Sequence, residues 1–224
     1  MTNPLKQLGA YGQSFWLDYL SRPMITSSEL ARLIEDDGLR GVTSNPTIFD
    51  KAIGSTDEYD EEIVELAARG LSSEAIFETL AVHDVQKACD LLRLVYEAAD
   101  GQDGFVSLEL PPDLAYDTEG SIREARRLFA LIDRPNAMIK VPGTPQGIPA
   151  IEQLIADGVN VNITLLFSIQ NYEQVVEAYL RGVERRAERG LAVDRIASVA
   201  SFFVSRVDTE VDRRLDELIA RTES

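Results

Sequence analysis

Short apolar stretches alternate along this chain with longer segments of helical spacing. The apolar stretches run roughly from Ser14 to Tyr19, Arg40 to Ser44, Gly104 to Glu109, Asn136 to Val141, Asn160 to Ile163 and Ile196 to Ser201. Such alternation predicts repeated βα units and a parallel sheet. Thr26 and Glu29 have capping-box spacing ahead of Leu30, Leu33 and Ile34, which predicts a helix start there. The longer insert between the second and third strands predicts two or three helices. Within it Phe77, Leu80, Ala81, Val85, Ala88, Leu92 and Val95 form an apolar stripe at helical spacing, read as core. His83 and Cys89 fall in the same helix and are read as structural or incidental. Arg181, Glu184, Arg185, Arg186, Glu188 and Arg189 read as the solvated face and end of the helix after the fifth strand.

Successive strand residues point to opposite faces, so a barrel requires one face of each strand to turn inward. One face carries Ser14, Trp16 and Asp18, then Gly41, Thr43 and Asn45, then Phe105, Ser107 and Glu109. It continues with Met138 and Lys140, with Asn160, Asn162 and Thr164, and with Ala197, Val199 and Ser201. The other face is Phe15, Leu17, Val42, Val106, Leu108, Ile139, Val141, Val161, Ile163 and Ala200, suited to packing against helices. The expected fold is therefore an α/β barrel of the TIM (β/α)8 type. Its polar atoms converge at the C-terminal strand ends, where such barrels keep their sites.

Lys140 is the sharpest candidate. It sits in AMIKVPGT, flanked by Met138, Ile139 and Val141, and an amine held in apolar surroundings can stay unprotonated and nucleophilic, as Schiff-base chemistry requires. The competing reading is a lysine that snorkels from an edge strand. The other polar positions also have structural readings: Asp18 or Asn45 as helix caps, Glu109 as an arginine partner, Thr164 as a backbone partner. Together, two carboxylates, a lysine, two amides and two hydroxyls at equivalent strand ends are a costly way to fill a core, and they read as a pocket for a polyhydroxylated carbonyl compound.

Composition narrows the classes. With 224 residues, 45% hydrophobic and 27% charged, the chain reads as one globular domain, residues 1–224. A net charge of −16 argues against a general nucleic-acid binder and gives no long-range pull on anions, so any phosphate must be captured locally. One cysteine and one histidine give no internal disulfide and no Cys/His zinc cluster, so metal-dependent aldol chemistry is disfavoured. No run approaches a membrane span and Met1 to Ala10 lacks a signal-peptide core, so no membrane association and a cytoplasmic location are expected.

The segments GVTSNPTIF, VSLEL, MIKVPGT, NVNITLLFS and SVASFFVSRVD, in this order over nearly the whole chain, resemble the transaldolase family. The resemblance implies a class I aldol mechanism with neither cofactor nor metal. Sedoheptulose 7-phosphate or fructose 6-phosphate would donate a dihydroxyacetone unit to an aldose phosphate within the pentose phosphate pathway. It implies Lys140 as the Schiff-base lysine, Asp18 as the acid/base at the C4 hydroxyl, and Glu109, through a water near Thr164, as the proton shuttle of imine formation. Asn45 and Asn162 would hold the dihydroxyacetone hydroxyls with Ser201 beside them, and Arg206 would grip the phosphate. A fructose 6-phosphate aldolase and a non-catalytic barrel fragment remain as alternatives.

One departure concerns the end of the chain. Six strands are found where a closed barrel needs eight, and Val207 to Ser224 read as one helix with Val211, Leu215, Leu218 and Ile219 as its apolar stripe. About six of eight βα units are expected here. That implies an incomplete reading frame, a shortened chain or one part of a longer protein, and leaves out the part of the phosphate site that the family draws from its seventh strand. Two unpaired sheet edges predict self-association into a homo-oligomer, or poor solubility.

Overall fold

A computed structural model describes residues 3–222. Six strands, β1 Phe15–Asp18, β2 Leu39–Thr43, β3 Phe105–Glu109, β4 Ala137–Pro142, β5 Val161–Leu166 and β6 Ser198–Phe202, form one sheet in sequence order. Every neighbouring pair is parallel. Parallel neighbours need crossovers. These contain α2 Arg22–Thr26 and α3 Glu29–Arg32 after β1, then α4 Pro46–Gly54, α5 Asp60–Ala68 and α6 Ser73–Ala98 after β2, with α1 Pro4–Leu8 preceding the sheet. α7 Thr118–Ile132, α8 Gly147–Asp157 and α9 Ile169–Glu188 follow β3, β4 and β5, and α10 Val204–Thr222 follows β6. Among the described residues no strand covers the outer edge of β1 or β6, so the sheet is a partial β/α barrel.

The expected alternation is realised as two apolar layers. Val42, Val106, Leu108, Ile139, Val141, Val161 and Ile163 pack outward against the helices, including Leu92, Leu128, Ile151 and Val175. Phe105 and Met138 pack inward with Tyr96, Trp16, Ala197 and Val199. Trp16 lies flat over β2, where a Cβ on Gly41 would come within 2.3 Å of the indole. Only glycine fits beneath that ring.

The insert holds three helices, and the stripe from Leu80 to Leu92 is buried as expected. Burial pushes the Cys89 thiol up to about 12, so it is chemically quiet. His83 is largely exposed and meets Glu62, Nδ1 to Oε1, at 2.6 Å. Beneath this pair lies a buried polar cluster. Arg22 donates from Nε to Asp84 at 3.0 Å and from Nη1 to Glu62 at 2.6 Å, while Tyr59 donates to Asp84 at 2.7 Å and accepts from the Arg22 backbone N–H at 2.8 Å. Burial opposes the Arg22 charge, but Asp84 and Glu62 outweigh it and raise its pKa.

Two expectations require correction. Thr26 does not cap a following helix; it ends α2, and its hydroxyl lies 2.7 Å from Glu58 Oε2 and 3.1 Å from the Arg22 carbonyl. A helix does begin at Glu29, but from Ser28 in the left-handed region with no side-chain cap, because Thr26 belongs to the preceding helix. As expected, the arginine run falls on the exposed face and end of α9, with only Arg186 half-buried, and Arg181 and Arg185 both pair with Glu152 of α8. The last helix starts at Val204, earlier than the spacing predicted, which puts Arg206 in its first turn. The expected end of that helix, Glu223 and Ser224, lies outside the described residues.

Candidate active site

Strand register sets the frame of the site. Glu109 of β3, Lys140 of β4 and Asn162 of β5 are consecutive register partners, one row across the sheet. β4 is an interior strand and Lys140 is only 4% exposed, so the edge-strand alternative is ruled out. Its Nζ lies 3.1 Å from Glu109 Oε2 and donates to the Ser44 carbonyl at 3.3 Å. A buried ammonium needs such partners. Burial also acts on Glu109, pushing its carboxyl above the ordinary value; Lys140 and Arg206 pull it back, and Asp18 pushes it further up. A carboxyl so placed exchanges protons closer to neutrality than a free one.

Six of the eight residues singled out from sequence line one cleft of about 420 Å³: Asp18, Asn45, Glu109, Lys140, Thr164 and Arg206. Asp18 ends β1 and accepts a short hydrogen bond from the Thr43 hydroxyl, its register partner on β2. Asn45 is indeed a helix cap: its Oδ1 accepts from the Ile48 N–H at 3.0 Å at the start of α4. That leaves the two amide N–H groups as the donors Asn45 can offer a ligand. Thr164 is buried, and its hydroxyl has no partner among the described residues. A buried hydroxyl without a protein partner is a place for water or substrate. The next residue, Leu165, has φ 60° beside an irregularity in the β5–β6 pairing, and it too lines the cleft. Backbone strain of this kind costs about 1–3 kcal/mol and gathers at functional sites. Arg206 stacks on Phe203 with its guanidinium carbon 4.3 Å from the ring centroid, which orients it at the cleft wall.

The other two candidates lie elsewhere. Asn162 is fully buried and Ser201 is partly buried, and neither lines the cleft. The Ser201 hydroxyl donates to Asn162 Oδ1 at 2.8 Å, and Asn162 Nδ2 donates to Ser107 Oγ at 3.0 Å. Sequence reasoning did not select Lys51, Pro112 and Phe203, which also line the cleft. They come from loops and helices, where alternation gives no signal; Thr43 was marked as inward, but its bond to Asp18 needed the register of β1 on β2.

A parallel β/α sheet that gathers a buried lysine, carboxylates and hydroxyls at the C-terminal ends of its strands has the arrangement of the β/α-barrel enzymes. Comparison is more specific: the family model described as Transaldolase/Fructose-6-phosphate aldolase matches residues 15–224, and the chain belongs to that family. It is 50% identical over 219 residues to Transaldolase 2 of Nostoc sp., covering 98% of this chain and 58% of that protein. It is 51% identical over 218 residues to the transaldolase of Acidothermus cellulolyticus, covering 97% of this chain and 59% of the relative. The chain thus spans a little under three fifths of the length of these relatives.

Proposed function

We propose that this chain, acting as one domain, is the catalytic barrel of a transaldolase. It would transfer a dihydroxyacetone unit from sedoheptulose 7-phosphate or fructose 6-phosphate to an aldose phosphate through a Schiff base on Lys140. The observation that carries this reading is the buried Lys140 amine, 3.1 Å from a Glu109 carboxylate whose proton affinity is raised, on a cleft that also presents Asp18. A cytoplasmic site in the pentose phosphate pathway goes with the reading. No helix among the described residues is long and apolar enough to cross a membrane.

In this reading Lys140 passes its ammonium proton to Glu109, its freed amine adds to the C2 ketone, and Glu109, through a water held near the Thr164 hydroxyl, delivers that proton as the carbinolamine loses water. Asp18 then takes the C4 hydroxyl proton. The C3–C4 bond breaks, the aldose phosphate leaves, and the electron pair moves into the iminium to give an enamine. Attack of C3 on the acceptor aldehyde, with Asp18 returning its proton to the new hydroxyl, and hydrolysis of the imine complete the transfer. Asn45 donates to the dihydroxyacetone hydroxyls, and Arg206 holds the phosphate. Asn162 and Ser201 support the floor from below, because their hydrogen bonds are directed at Ser107 and at each other.

Borohydride reduction in the presence of fructose 6-phosphate, read by intact mass and peptide mapping, tests the proposal. A reduced adduct on Lys140 is expected, and a folded sample that forms none refutes it. Dependence of aldose release on added acceptor separates a transferase from an aldolase that releases free dihydroxyacetone.

A further inference from the structure

Lys51 is one of four lysines in the chain, and two of the four, Lys51 and Lys140, open on the same cleft. It stands on α4, the helix that Asn45 caps, whereas its neighbour Asp50 lines an adjoining, largely apolar groove between α4 and α6 that shares Pro46, Glu109 and Pro112 with the cleft. The helix therefore turns its cation to the cleft and its carboxylate to the neighbouring groove. No hydrogen bond or ion pair among the described residues engages Lys51, which is exposed. Several arginines are closed by carboxylates, as Arg127 is by Glu78 and Glu124, Arg181 by Glu152, and Arg213 by Glu210 and Glu217, whereas Lys6, Arg32, Lys87 and Arg123 share the lack of an ion pair with Lys51 but do not line this cleft. Arg206 likewise has no paired carboxylate among the described residues; it lies over the Phe203 ring.

The charge count of the cleft points the same way. Three cations, Lys51, Lys140 and Arg206, face two carboxylates, Asp18 and Glu109. Lys140 and Glu109 satisfy one another. The wall is left net positive in a chain of net charge −16, whose overall field repels anions. An anion is held here only by charges at contact range. α4 follows β2 and α10 follows β6, so Lys51 and Arg206 approach from the two sides of the strand that carries Lys140.

We infer that Lys51 is a second cationic contact for the phosphate group of the ligand, gripping it together with Arg206 and setting the preference for phosphorylated over unphosphorylated ketoses. This rests on the sugar-phosphate reading of the cleft. The division of labour is chemical. The planar guanidinium of Arg206, held on Phe203, offers a fixed fork of donors, and the flexible ammonium of Lys51 adds charge without demanding one geometry.

Titration calorimetry with inorganic phosphate tests the inference without calling on the Schiff base. Lys51→Gln and Arg206→Gln are each expected to weaken phosphate about tenfold, the scale of one lost charge-assisted contact. Lys51→Arg should keep most of the affinity, and Lys87→Gln, an exposed lysine on α6, should keep all of it. Unchanged affinity in Lys51→Gln, or no phosphate binding by the wild-type chain, overturns the inference. Borohydride trapping then separates the two ideas. Lys51→Gln should slow adduct formation from fructose 6-phosphate but not from dihydroxyacetone, which carries no phosphate; equal slowing with both ketones also counts against it. If neither ketone gives an adduct in the wild-type chain while phosphate still binds through Lys51, the Schiff-base reading fails and the anion contact stands.

Discussion

Glu109 and Lys140 are register partners on adjacent parallel strands, and their side chains meet at 3.1 Å below the mouth of the cleft. Each makes the burial of the other tolerable, and in the proposed mechanism the amine becomes an imine beside the carboxyl that supplies the proton. This single pair links the fold to the proposed chemistry and underlies the first prediction.

Replacing Lys140 by Ala or Met should abolish the borohydride-trapped adduct. The Met variant keeps the bulk of the side chain, so circular dichroism should show a native fold for it. Mass spectrometry that still found the sugar attached to the Met variant would place the Schiff base on another amine and sink the assignment.

Asp18→Asn should leave trapping on Lys140 intact and slow release of the aldose phosphate by about 10²–10⁴-fold, the usual contribution of a positioned acid/base. Thr43→Val removes the hydroxyl that donates to Asp18 and should slow the same step less. Rapid-quench measurement of a single turnover reads both; equal losses of trapping and cleavage in Asp18→Asn would instead mark a binding role.

The cluster of Arg22, Tyr59, Glu62 and Asp84 fastens the segment just after Asp18 to α5 and α6. Asp84→Ala leaves a buried guanidinium without its main partner and should cost about 3–5 kcal/mol in urea unfolding. Tyr59→Phe, which removes one hydroxyl from the cluster, should cost about 1–2 kcal/mol. A change of only a few tenths for Asp84→Ala would show that the cluster does not hold the fold.

Glu62 carries a pH dependence of defined sign. Burial raises its pKa, but hydrogen bonds from His83 and Arg22 outweigh that and hold it below its ordinary 4.5. Over that interval the unfolded chain binds the proton that the folded chain refuses, so stability rises with pH and is complete above about pH 4.5. The stabilisation disappears as acid brings the pH down through the lowered folded value. The melting-temperature gap between wild type and Glu62→Gln should be largest near neutrality and shrink below pH 4.5; a gap that widened in acid would reverse the assignment.

The exposed outer edges of β1 and β6, with the exposed Val211, Leu215, Leu218 and Ile219 of α10, should make the isolated chain associate with copies of itself. Sedimentation velocity should show mass rising with concentration, and the double variant Leu215→Lys, Ile219→Lys should reduce it. A monomer at all concentrations contradicts this.

Hydrophobic alternation by itself determined the six strands, their inward and outward faces, and the gathering of Asp18, Glu109, Lys140 and Thr164 at one end, because the period of two in a strand is a local property of the backbone. It also marked the stripe of α6 as core. Local pattern could not show that Thr26 closes one turn rather than opening the next, since that depends on which groups its hydroxyl meets, Glu58 among them. Nor could it separate Asn45, at the cleft, from Asn162, which does not line it: both read as inward by alternation, and only sheet register and the start of α4 at Asn45 set them apart. Lys51 and the Arg22 cluster were outside its reach for the same reason. The groups that share the cleft with Lys51, and the partners of Arg22, are tens of residues away in the chain, and that proximity exists only once the helices pack.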